Sequence, residues 1–92
     1  MKAIAYQKGA IEMDYNYRIT GQIIGRIRTQ RAISQEVLSG LSGVARSHLA
    51  MIESGKKQAN FETVWKLASA FNMQPHELVE LIEAEAGHSK NK

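Results

Sequence analysis

SQEVLSGLSGVARSHLAMIESGKK, Ser34 to Lys57, is the stretch on which the fold turns. Ser34 is placed to cap a short helix from Gln35 to about Leu41, in which Val37, Leu38 and Leu41 form an apolar stripe. Ser42-Gly43-Val44 breaks that pattern. A second helix follows from about Arg46 to Ser54, with Leu49 and Ile52 inward and Gly55 as its left-handed stop. The span from Gln35 to Ser54 therefore has the length and order of a helix-turn-helix unit. Such a unit needs a small residue where its helices cross, and Ser39 supplies one. Four residues on, the turn needs positive φ, which Gly43 adopts without steric cost. Leu38, Val44, Leu49 and Ile52 then fill the wedge between the helices. A random amphipathic pair rarely meets all of these demands at these offsets.

Working outward, Thr20 is placed to cap an upstream helix to about Arg31, with Ile23, Ile24 and Ile27 on one face and Arg26, Gln30 and Arg31 largely on the other. Downstream, Asn60 can cap a helix from Phe61 to Phe71 carrying Val64, Leu67, Ala68 and Phe71 at the i, i+3, i+4, i+7 spacing. Gln74-Pro75 opens a fifth helix, with proline at the first helical position, where its missing N–H costs least. The expected apolar face there is Leu78, Leu81 and Ile82. The first eighteen residues differ: Ile11, Met13, Tyr15 and Tyr17 alternate with Glu12, Asp14, Asn16 and Arg18, a period of two that suits a strand. Ile4-Ala5-Tyr6 before Lys8-Gly9 allows a hairpin, and an arm ordered only by a partner is the other reading. The expected organisation is thus an N-terminal arm over 1–18, an all-α domain over 19–86 and a polar tail over 87–92.

Ninety-two residues make one domain, and the absence of cysteine leaves no disulfide framework or thiolate metal site. Lys2 is followed by only four apolar or aromatic residues, too few for a secretory signal, and no run approaches the ~18–20 apolar residues of a membrane span. A soluble cytoplasmic protein is the expectation. The net charge of +3 divides unevenly. From Gln22 to Lys57, Arg26, Arg28, Arg31, Arg46, Lys56 and Lys57 stand against Glu36 and Glu53; from Asn60 onward, Glu62, Glu77, Glu80, Glu83 and Glu85 outnumber Lys66, Lys90 and Lys92. A basic middle and an acidic last third suggest one face built for a polyanion and another turned away from it. Nothing points to catalysis. His48, His76 and His88 lack metal-ligand spacing, the glutamates from Glu77 to Glu85 read as a solvated helix face, and no serine lies in a nucleophile-elbow pattern. Trp65 and Phe71 read as core or interface, and Gly40, which costs ~1 kcal/mol inside a helix relative to alanine, has no functional reading. No cofactor, metal or small-molecule ligand is expected.

The quoted stretch resembles the lambda-repressor/Cro-like helix-turn-helix domains, the XRE family, whose pattern runs S-Q-E-x-L-A, then G-V-S, then I-x-x-I-E-x-G-K. FETVWKLASAFNMQPHELVELI is similar to that family's fourth and fifth helices, so the resemblance covers roughly residues 19 to 83. It implies a five-helix, lambda-repressor-like DNA-binding domain with a short extended arm ahead of it. The helix beginning near Arg46 matches the recognition helix, which lies in the major groove. Arg46, Ser47, Ala50 and Met51 would then read bases, Arg46 through forked donors that match guanine O6 and N7, and Ala50 and Met51 through apolar contact. Gln35, His48, Ser54, Lys56 and Lys57 would meet phosphates. Arg28 and Glu53 match a salt bridge tying the first helix to the third. Three positions depart from the pattern. Ala45 stands where serine or threonine is usual, Ser39 where alanine is commoner, and Met51 where a polar base reader is frequent. The implied function is sequence-specific regulation of transcription from double-stranded DNA, by a homodimer joined through helix five, with the arm as a second contact. Two recognition helices about 34 Å apart would read an inverted repeat. Phage repressor, restriction–modification controller and antitoxin are the roles left open, and a protein-bridging adaptor is the reading from another class.

Overall fold

A computed structural model describes residues 15–90, which form five α-helices and no strand. The hairpin or arm read over residues 1–14 and the end of the polar tail lie outside the described residues. The first helix, α1, spans Tyr17–Gln30 and begins a turn before the Thr20 cap that the sequence suggested. Asn16 holds the extended conformation of a cap, and its side chain accepts a hydrogen bond from the Arg18 N–H at 2.9 Å. Asparagine is a better cap than threonine, and the earlier start places Ile19 on the buried face. Thr20 is buried inside the helix, its hydroxyl 2.7 Å from the Tyr15 hydroxyl. Tyr17 and Arg18, the last members of the period-two run, are exposed and helical because they form the first turn between the Asn16 cap and the buried face that begins at Ile19.

The remaining helices are α2 (Gln35–Ser42), α3 (Arg46–Glu53), α4 (Phe61–Ala70) and α5 (Pro75–Lys90). Ser34 caps α2 by accepting from the Val37 N–H at 3.0 Å, and Asn60 caps α4 by accepting from the Thr63 N–H at 2.8 Å. Gly43, at φ +78°, ends α2 and opens the tight turn to α3. Helices α1, α3 and α4 all stop in the same way. The residue after the C-cap is left-handed (Ala32, Gly55 and Asn72), and its N–H and the next one bond back to carbonyls of the last turn.

The principal packing contacts form a closed ring, α1 on α3, α3 on α2, α2 on α4, α4 on α5, and α5 back on α1. Inside it lie Ile24, Leu38, Leu49, Ile52, Leu67, Phe71 and Leu78, all fully buried. Two sequence expectations about facing are corrected. In α2 only Leu38 is buried, while Val37 is 48% and Leu41 60% exposed. These two sit roughly 60–100° round the helix from Leu38. The side that α2 turns inward beside Leu38 carries Gln35, Ser39 and Ser42, all half-buried. Polar bonds hold it there: Gln35 reaches Glu53, and Ser42 Oγ accepts from the Val44 N–H at 3.1 Å. In α5 the buried stripe is Leu78 and Ile82, continued by half-buried Ala86, and Leu81 is 42% exposed. Trp65, read as core or interface, is exposed, whereas Phe71 is core.

Candidate nucleic-acid interface

The position of α3 is set by its two buried residues. Leu49 and Ile52 are fully enclosed, so the opposite side of an eight-residue helix must face outward. That side carries Arg46, Ser47 and Met51 exposed, with His48 and Ala50 half-exposed beside them. Among the described residues, α3 alone of the helices preceded by a linking turn starts without a side-chain cap, a proline or a back-bonded acid. Ala45 offers its first-turn N–H groups no partner. Those N–H groups carry the positive end of the helix dipole. The other end of α3 passes into the Gly55 turn, where the N–H groups of both Lys56 and Lys57 bond to the Met51 carbonyl. Both lysine side chains are exposed. Ser54 is the C-cap, and its hydroxyl donates to the Met51 carbonyl at 3.1 Å.

What holds this surface at a fixed angle is the α1–α3 crossing. Arg28 in α1 forks onto Glu53 at the end of α3: Nε donates to Oε2 at 2.8 Å and NH2 to Oε1 at 2.9 Å, while NH1 donates to the Ile33 carbonyl at 2.9 Å. The two side chains are mostly shielded from solvent. Hydrogen bonding to Glu53 raises the Arg28 guanidinium above its ordinary basicity, with burial opposing and the carboxylate charge adding to it. Gln35 joins the same group through Nε2, 3.2 Å from Glu53 Oε1. Of the residues assigned to phosphate by resemblance, Gln35 is therefore committed at its amide nitrogen to the fold. Lys56, Lys57 and Ser54 lie together at the end of α3, and His48 lies along its flank.

The sequence reading missed a close backbone approach between α1 and α3. A Cβ on Gly21 would lie 1.9 Å from the Ile52 carbonyl oxygen, and one on Gly25 would lie 3.3 Å from Glu53 Oε1. The two glycines thus make a shallow bed on α1, into which the end of α3 settles. Two glycines four apart in an amphipathic helix, each costing ~1 kcal/mol there, were the available signal. Arg31, expected on the outer face, bonds to the Phe71 carbonyl through NH1 and stacks its guanidinium 5.4 Å from that ring's centroid. Glu85, read as part of a solvated face, is half-buried and pairs with Arg26 at 3.4 Å.

The chain is similar to known helix-turn-helix proteins. A Helix-turn-helix family model matches residues 24–78, more than half of the chain. An uncharacterized HTH-type transcriptional regulator of Sinorhizobium fredii is 27% identical over 62 residues, which cover 67% of this chain and 80% of that protein. The crystal structure of the restriction-modification controller protein C.AhdI from Aeromonas hydrophila superposes with a TM-score of 0.63 at 35% identity, covering 67% of this chain and 94% of that one. With its lambda-repressor-like five-helix fold, the chain belongs to the XRE-type helix-turn-helix family of transcriptional regulators.

Proposed function

We propose that this regulator acts without catalysis, as a homodimer that binds an inverted repeat in double-stranded DNA and presents α3 of each protomer to a major groove. The observation that carries the reading is the division of α3: Leu49 and Ile52 are sealed in the core, while Arg46, Ser47 and Met51 stand exposed beside an uncapped, positively polarised helix start. Arg46 reads a base through paired donors, Ser47 bonds a base or a phosphate, and Ala50 and Met51 make apolar contact such as with a thymine methyl. A phosphate against the first turn of α3 supplies the acceptor that Ala45 lacks. Lys56, Lys57, His48 and Ser54 grip the backbone on either side, and Gln35 contributes through whatever valence Glu53 leaves it.

Helix α5 is the dimer contact. Val79 and Leu81 flank its buried stripe and are open to solvent. Among cellular roles, a restriction–modification controller is favoured over phage repressor or antitoxin, because the structural likeness is to a protein of that description. Such a regulator works in the cytoplasm, on the nucleoid.

Selection of bound sites from a random duplex pool tests the reading directly, and a symmetric consensus is the expected result. On the selected site, Arg46→Ala should cost about 1–3 kcal/mol of binding and relax the preference at one base pair. Lys57→Ala should weaken all sequences alike and flatten the salt dependence. Unchanged affinity for Arg46→Ala would show that the reading face is elsewhere, and failure to enrich any sequence would favour a protein-bridging adaptor.

A further inference from the structure

The basic patch at the end of α3 draws on a second element. Residues Lys56 and Lys57 follow Gly55, whose φ of +81° reserves the position for glycine. A side chain is nevertheless present over that glycine. A Cβ built on Gly55 would lie 3.0 Å from Arg18 Cγ, 3.5 Å from Cδ and 3.6 Å from Nε. The aliphatic stem of Arg18 thus crosses the turn that carries the two lysines, and Arg18 itself is exposed. Its root is fixed. Arg18 lies in the first turn of α1, its own N–H is the one that Asn16 caps, and the Tyr15–Thr20 hydroxyl pair closes the same turn. One turn further along, Gly21 lies against the Ile52 carbonyl, so α1 cannot slide relative to the end of α3.

We propose that Arg18 is a third backbone-gripping cation, which completes with Lys56 and Lys57 a phosphate clamp at the α1–α3 junction. The proposal rests on the duplex-binding reading above and extends it to a residue that lies outside the helix-turn-helix. Two lysines on a turn give mobile point charges. An arginine whose stem is laid across that turn adds a forked donor held at a set distance from them, which suits two oxygens of one phosphate. The clamp also explains why a cation is carried at the start of α1, where the helix dipole disfavours positive charge.

A purely structural role for Arg18 would be to neutralise the carbonyl end of α3, and the two roles separate by salt dependence. Binding to a mixed-sequence DNA duplex is measured over a series of salt concentrations for the wild type, Arg18→Gln, Arg18→Lys and Lys57→Ala. Glutamine keeps a stem over Gly55 and removes only the charge. Removing one phosphate-bound cation lowers the slope of log affinity against log salt by about 0.9 per bound protomer. Arg18→Gln is expected to lower the slope as Lys57→Ala does, and Arg18→Lys to keep it near the wild-type value. If Lys57→Ala lowers the slope while Arg18→Gln leaves it unchanged, the clamp is overturned and the duplex-binding reading stands. If no variant moves the slope, both fail. Thermal unfolding of the same variants separates a weakened grip on DNA from a weakened fold, and a drop in melting temperature with an unchanged slope assigns Arg18 to the dipole.

Discussion

Gly21 illustrates how one missing carbon sets the geometry of the exposed α3 surface. With hydrogen in place of a methyl group, the backbones of α1 and α3 come within van der Waals contact, and the Ile52 carbonyl occupies the space a side chain would fill. Gly21→Ala is therefore expected to destabilise the protein by at least about 1–3 kcal/mol, because the atom it meets is backbone and cannot rotate away. Chemical denaturation measures that loss, and a fold of undiminished stability would mean that the helices cross less closely. The Arg28–Glu53 fork acts at the same junction. It was legible by resemblance, because an arginine and a glutamate occupy matching positions of a known pattern. The role of Gly21 was not, since sequence shows which residues are small but not which backbone will lie against them. Arg18 was unreadable for a related reason: its partner is a glycine 37 positions away that has no side chain to pair with it.

Existence and order of the helices were legible because their punctuation is chemically explicit. Ser34, Asn60 and Pro75 each open a helix in the structure, and Gly43 and Gly55 each mark an end. Only α1 starts elsewhere than expected, because the Asn16 cap was hidden within a run of alternating polar and apolar residues. The facing of α2 was less accessible. Its apolar residues propose one orientation, and the polar bonds of Gln35 and Ser42 impose another, which leaves Val37, Gly40 and Leu41 outward. This makes Gly40 a clean site for a test of helix propensity. No atom outside its own helix lies within 4 Å of a Cβ built there. Gly40→Ala should stabilise the fold by about 1 kcal/mol, seen as a rise in melting temperature with unchanged DNA affinity. A decrease in stability would show that α2 is covered at that point.

At the scale of the molecule, the surface divides by sign. Arg46, Lys56 and Lys57 border the exposed side of α3, whereas Glu77, Glu80 and Glu83 are exposed on α5. An acidic helix is repelled by a duplex, so a dimer joined through α5 keeps its joint away from the DNA while directing both copies of α3 toward it. Leu81 should belong to that joint. It is 42% exposed, so Leu81→Glu is tolerated by the monomer fold and is expected to shift the sedimentation of the protein toward monomer. Circular dichroism would remain unchanged, and operator affinity would fall because two linked half-sites become independent. An unaltered dimer in this variant would remove α5 from the joint.

The ring of helix contacts bears on how the chain comes to be folded during synthesis. Helix α5 is the link between α4 and α1, and the Arg26–Glu85 pair that spans this link joins residues 59 apart in sequence. Until Leu78 and Ile82 have been made, the isoleucines of α1 have no cover on that side, and the growing polypeptide carries an open seam of oily surface. The core is therefore expected to close last at the α5 seam. A product cut short before that link leaves one side of the α1 isoleucines bare and is expected to be a substrate for proteases.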